Sequence, residues 1–93
     1  MVQQRWRVQC FGQVQHTGFR YTAMYLAKRL ELTGWVKNLS DGSVLLEAQG
    51  STARLRKLLI LLKSQKHLMI AKNVITVIPM RAYERDFRVD SGR

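Results

Sequence analysis

Two β-rich runs, Trp35-Val-Lys-Asn-Leu39 and Ser43-Val-Leu-Leu-Glu-Ala-Gln49, stand on either side of Ser40-Asp41-Gly42. Asp-Gly between such runs tolerates the positive φ angles that a tight hairpin demands, so the two runs pair directly as antiparallel neighbours. That ribbon sits near the middle of the chain, with further elements on either side. Upstream, Trp6-Arg-Val-Gln-Cys-Phe11 alternates in polarity and predicts a first strand ending near Gly12. Phe19, Ala23, Leu26 and Leu30 are then spaced as one helix face, with Lys28 and Arg29 suited to the negative end of the dipole and a stop near Thr33-Gly34. Downstream, Gly50-Ser51-Thr52 offers a break and a cap. Leu55, Leu58, Leu59 and Leu62 form the apolar stripe of a second helix, interleaved with Arg56, Lys57, Lys63 and Lys66. Val74–Ile78 reads as a fourth strand closed by Pro79, and Phe87-Arg-Val89 as a short fifth. The order β-α-β-β-α-β-β is an α+β pattern. Its first six elements are the ferredoxin-like split β-α-β arrangement, an antiparallel sheet with two helices on one face, to which the fifth strand is added.

Length and composition narrow the rest. Ninety-three residues suffice for one domain, taken as 1–93, and 46% hydrophobic with 24% charged residues is the balance of a chain that folds. A net charge of +10 favours anionic partners without choosing among nucleic acid, acidic membrane and phosphorylated metabolites. Cys10 is the only cysteine, so no internal disulfide forms, no zinc spacing exists, and a reducing compartment is expected. Its place in the first strand, with no activating His or Asn nearby, makes it a buried inert thiol. The start lacks the apolar stretch of a signal peptide, and the longest apolar run, Leu58 to Leu62, is too short to span a bilayer; a cytoplasmic protein is expected.

The stretch Gly12-Gln-Val-Gln-His-Thr-Gly-Phe-Arg20 joins a strand end to a helix start with glycines on both sides. In that context successive backbone N–H groups can surround an anion. Arg20 falls in the first helical turn, where a cation opposes the dipole unless an anion lies beside it, and its planar fork suits two phosphoryl oxygens. An ordinary strand-to-helix turn with a solvated arginine is the other reading of the same residues. Asn38 stands near a strand end, where its amide can position a water or else belong to the chemistry of the adjoining turn. His67 has no partner in the pattern and reads as solvated.

Together these stretches resemble the two signature motifs of the acylphosphatase family, roughly Gly-x-Val-Gln-Gly-Val-x-Phe-Arg and Gly-x-x-x-Asn-x-x-Asp-Gly-x-Val. The first matches at Gly12, Val14, Gln15, Phe19 and Arg20, the second at Gly34, Asn38, Asp41, Gly42 and Val44. The resemblance implies a metal-independent enzyme, without cofactor, that hydrolyses acyl phosphates to a carboxylate and inorganic phosphate. It places Arg20 as the substrate-binding arginine and Asn38 as the asparagine that orients water. Backbone amides of Gln15, His16, Thr17, Gly18 and Phe19 would cradle the phosphate, and Gly12 would be the structural glycine of the loop. A monomer is expected, with no metal or membrane partner and at most weak, salt-sensitive binding of nucleic acid. The departure is His16-Thr17 where the family usually has Gly-Val. If that glycine takes a positive φ, His16 costs about 1 kcal/mol there. His16 then either tolerates the left-handed region and brings a positive charge near the phosphate, or the loop is misshapen. A non-catalytic phosphate- or nucleic-acid-binding module of the same fold is the alternative. Against RNA binding, strand three lacks the aromatics of an RNA-reading sheet.

Overall fold

In the computed structural model, which describes residues 1–90, the elements run β1 (Gln3–Gly12), α1 (Phe19–Arg29), β2 (Thr33–Asn38), β3 (Val44–Ser51), α2 (Thr52–Ser64), β4 (Ile70–Ile78) and β5 (Phe87–Val89). Ser91-Gly92-Arg93 lie outside the described residues. The Asp41-Gly42 turn joins β2 to β3 in antiparallel register, from Thr33 opposite Gln49 to Asn38 opposite Val44. β1 lies between β3 and β4, antiparallel to both, and the sheet order is β4-β1-β3-β2-β5. The four longer strands form the expected antiparallel sheet; β5 corrects it to a mixed one, because it pairs parallel to the outer edge of β2.

Side-chain alternation sends Val8 and Cys10 of β1, Val36 of β2, and Val44 and Leu46 of β3 to one face, where they meet both helices. α2 contributes the stripe read from sequence, Leu55, Leu58, Leu59 and Leu62, all buried. Each such leucine contributes about 1.5–3 kcal/mol through removal of apolar surface from water. Ser51 is both the last residue of β3 and the N-cap of α2, its hydroxyl accepting from the Arg54 N–H at 3.3 Å. The expected break at Gly50-Ser51 is therefore absent: the strand runs into the cap.

α1 differs from its sequence reading in two ways. Its buried stripe is Phe19, Ala23 and Ala27, with Leu26 and Leu30 only half-buried, and it ends at Arg29 rather than near Gly34. Glu31, at φ 57, turns the chain through the left-handed region, and Leu32 N–H donates to the Ala27 carbonyl at 2.9 Å. That closes the helix without glycine and frees Thr33 and Gly34 to open β2.

The opposite face of the sheet is polar at its centre. Arg5, fully buried, donates to Glu47 at 2.9 Å and to Glu84 at 2.7 Å, and Arg7 adds two bonds to the same Glu47. The segment 79–86, which must travel from the β4 edge to the β5 edge, is pinned there. Arg5 holds Glu84, and the Gln49 side chain both accepts from and donates to the Arg81 backbone at 2.9 Å.

Candidate active site

β1 ends on the glycine that its surroundings require. Gly12 has φ 130, and a Cβ there would lie 2.5 Å from the Met69 carbonyl oxygen and 2.7 Å from the Ala71 nitrogen. The β1–β4 register shifts between Phe11 and Gly12, so the chain leaves the sheet through a bulge against β4. Val14, with no exposed surface, anchors the following loop in the core. The Thr17 hydroxyl donates to the Val14 carbonyl at 2.6 Å and closes the turn. His16 at φ 65 and Gly18 at φ 81 are both left-handed, two such residues within three, the kind of backbone that turns successive N–H groups toward a common side. His16 thus occupies the left-handed region that its place in the motif demands.

Gly18 is the N-cap of α1, which has no side-chain cap and no acid in its first turn among the described residues. The first-turn N–H groups and the positive end of the dipole therefore face a place where an anion is welcome. Arg20 sits in that turn, half-buried, and its side chain makes no hydrogen bond or ion pair with any other described residue. Asn38 is the last residue of β2 and points to the helix side of the sheet, by its register opposite Val44.

These pieces enclose a cleft of about 250 Å³ lined by Val14, His16, Gly18, Phe19, Arg20, Tyr21 and Asn38. Of the residues expected at the site, His16, Gly18, Phe19, Arg20 and Asn38 come together in it. Gln15, Thr17 and Gly12 do not line it: Thr17 is turned to its own loop, Gly12 lies at the bulge, and the Gln15 side chain reaches the hairpin. Tyr21 was missed, because helical spacing puts it off the core face and nothing else in the sequence marks it. It stands 62% exposed beside Arg20, a flat apolar wall at the mouth of the cleft.

The acid and thiol nearest in sequence take no part in the cleft. Asp41 accepts from the Ser43 hydroxyl and backbone N–H, and these bonds hold its carboxyl below the usual carboxylate range, so it serves the turn. Cys10 is buried, and burial pushes its thiol up to about 12, against a weaker opposing pull from Lys63. His67 is exposed, 3.5 Å from the Thr22 hydroxyl. Among the described residues no three His, Cys, Asp or Glu side chains stand together to hold a metal, and no helix is long and apolar enough to cross a membrane. What the cleft offers is a cationic fork, backbone amides, and one carboxamide across from them.

Comparison with known proteins points the same way. The acylphosphatase family model matches residues 6–89. The acylphosphatase of Pediococcus pentosaceus is 44% identical over 79 residues, covering 84% of this chain and 88% of that protein. Among solved structures, the acylphosphatase of Bacillus subtilis superposes with a TM-score of 0.87 at 27% identity, covering 96% of this chain and 99% of that one. The acylphosphatase of Coxiella burnetii gives 0.86 at 34% identity, covering 95% and 93%. The match thus extends over both strands that carry the cleft and the sheet behind it, and the chain belongs to the acylphosphatase family.

Proposed function

We propose that this chain, read as one domain over 1–93, hydrolyses acyl phosphates to a carboxylate and inorganic phosphate without a metal. The observation that carries this is an Arg20 side chain without a partner among the described residues, at a helix N-terminus with no side-chain cap, sharing one cleft with Asn38. Phosphoryl transfer asks mostly for positioning and charge stabilisation, since charge spreads over three equatorial oxygens while nucleophile and leaving group stay in line. Of the loop amides from Gln15 to Phe19, those of His16, Gly18 and Phe19 border the cleft, and together with the Arg20 guanidinium they hold those oxygens. The Asn38 carboxamide accepts a hydrogen bond from the attacking water and sets it opposite the leaving carboxylate. The oxygen of water bonds to phosphorus, the bond from phosphorus to the acyl oxygen breaks, and the acyl group leaves as a carboxylate. Both water hydrogens end on the phosphate, so charge and atoms balance. A carboxylate leaves without protonation, which suits a cleft lined by no acid. Tyr21 supplies the apolar wall for the acyl part.

The same reading makes the protein a monomer of the cytoplasm that binds nucleic acid only weakly and in a salt-sensitive way. Trp35, opposite Glu47 on the face away from the helices, is buried, and the centre of that face is occupied by the Arg5, Arg7 and Glu47 network. A base-stacking platform needs that surface open.

The test is phosphate release from acetyl phosphate with chelator present, for the natural chain, Arg20→Ala and Asn38→Ala. Metal-independent turnover is expected, with each variant losing about 100-fold or more, the scale of one lost transition-state donor. Turnover at the uncatalysed rate in the natural chain would leave a phosphate-binding module in place of an enzyme.

A further inference from the structure

Gln15 lies in the middle of the loop, yet its side chain serves the other half of the site. Its Nε2 donates to the Leu39 carbonyl at 2.7 Å and to the Ser43 carbonyl at 2.9 Å, residues 24 and 28 positions away. Those two carbonyls are the neck of the hairpin. Leu39 N–H donates to Ser43 O at 2.9 Å, and Gly42 N–H donates to Leu39 O at 3.2 Å. Leu39 directly follows Asn38, so one carboxamide grips the chain next to the residue that faces Arg20.

The chemistry of that grip is specific. A primary amide carries two N–H donors on one nitrogen, and here each is given to a different carbonyl. Glutamate would set oxygen against oxygen, and a cationic side chain would bring charge beside the anion-binding loop. The backbone around Gln15 meanwhile belongs to that loop, between buried Val14 and left-handed His16. One residue is thus fixed to both walls of the cleft.

We propose that Gln15 is a positioning residue, a strut that sets the distance between the anion-binding loop and Asn38; the inference rests on the acyl phosphate reading above. The phosphate's holders, the loop amides and Arg20, are on one side of the strut, and the water's holder is on the other. Cutting the strut moves one against the other without removing a contact to the phosphate. The core packing of Val14 and Phe19 against Val36 and Val44 is left to hold the fold.

The test uses Gln15→Met, which keeps the length and loses both donors, and Gln15→Asn, which keeps the amide one methylene too short. For each, kcat and KM with acetyl phosphate, the inhibition constant of inorganic phosphate, and the melting midpoint are measured. A displacement of about 1 Å in such a site costs on the order of 100-fold, so kcat is expected to fall by about 10- to 100-fold in both variants. The inhibition constant of phosphate stays within about threefold, because the phosphate's own partners remain. Unchanged kcat in folded variants overturns the strut. So does a phosphate constant that rises in step with the lost kcat, which would make Gln15 part of the cradle. Should Gln15→Met not fold, Gln15→Asn decides by the same two numbers. A silent natural chain overturns the functional reading and the strut together, whereas an active one with unaffected variants overturns the strut alone.

Discussion

Arg5→Met isolates the electrostatics beneath the sheet from its packing. Arg5 is fully buried and methionine refills most of its stem, so the loss is mainly that of a charge. Glu47 would keep Arg7, whose Nε and NH2 reach Oε2 at 3.1 and 3.0 Å, but its Oε1 would be left with only Arg81 at 4.0 Å. Glu84, 9% exposed, would lose bonds of 2.7 and 3.3 Å. Removing one partner of a buried pair costs about 3–5 kcal/mol, and the surviving Arg7 contact places this case near the lower end, about 3 kcal/mol. For a domain of this size that is roughly 12–24 °C in Tm. The assay is urea unfolding followed by tryptophan fluorescence at pH 7 and again near pH 4. Burial works against the ionised Glu47, but hydrogen bonds and attraction from Arg5 and Arg7 outweigh it and hold the carboxyl below its ordinary range. A lowered folded value means that the stabilisation is fully present above the unfolded value of about 4.3 and is lost as pH falls through the folded one. The Arg5→Met penalty must therefore shrink on acidification, since the stranded carboxylate takes a proton there. A cost below about 1 kcal/mol, or one equal at both pH values, would refute the assignment to an uncompensated charge and leave only packing.

Gly12→Ala drives a methyl group into the Met69 carbonyl at 2.5 Å and is expected to cost about 2–3 kcal/mol in denaturant unfolding, with phosphate binding weakened as the loop's origin shifts. His16→Gly relieves the left-handed conformation at φ 65 and, net of the chain entropy glycine adds, raises stability by up to about 1 kcal/mol. Leu62→Ala, at 1% exposure under the sheet, lowers unfolding free energy by about 2–5 kcal/mol. Native Cys10 resists a thiol reagent at pH 8 and reacts fully in denaturant, read by mass, because burial holds its thiol near about 12.

The hairpin and the α2 stripe were legible because each is written locally, in Asp41-Gly42 and in four leucines at helical spacing. β4 was read from Val74 but begins at Ile70. Ala71-Lys72-Asn73 carries little β signal of its own and is extended because Phe11 and Cys10 pair with Lys72 and Asn73. The placement of β5 was not legible, since its parallel partner β2 lies about fifty residues upstream and the connection crosses the sheet. Arg5 had no mark in the sequence as a buried residue; the partner that allows its burial, Glu84, is 79 positions away. At the site, Arg20 and Asn38 were found through motif spacing, and His16 was flagged by its departure from glycine. The Gln15 side chain was assigned with its loop because spacing reports where a residue sits along the chain and not which way its amide turns.

The position of β1 bears on how the protein comes to be folded. It precedes both of its partners in the chain, with Arg5 opposite Gln49 of β3 on one side and Ile78 of β4 on the other. Neither neighbour exists when it emerges, so the sheet cannot grow strand by strand as the chain is made, and closure waits for long loops to be drawn in. Refolding dominated by such distant pairings falls toward the millisecond-to-second end of the range for small domains. Until β4 arrives, one edge of β1 stays open, a window in which the nascent chain, and not the finished enzyme, is exposed to misassembly.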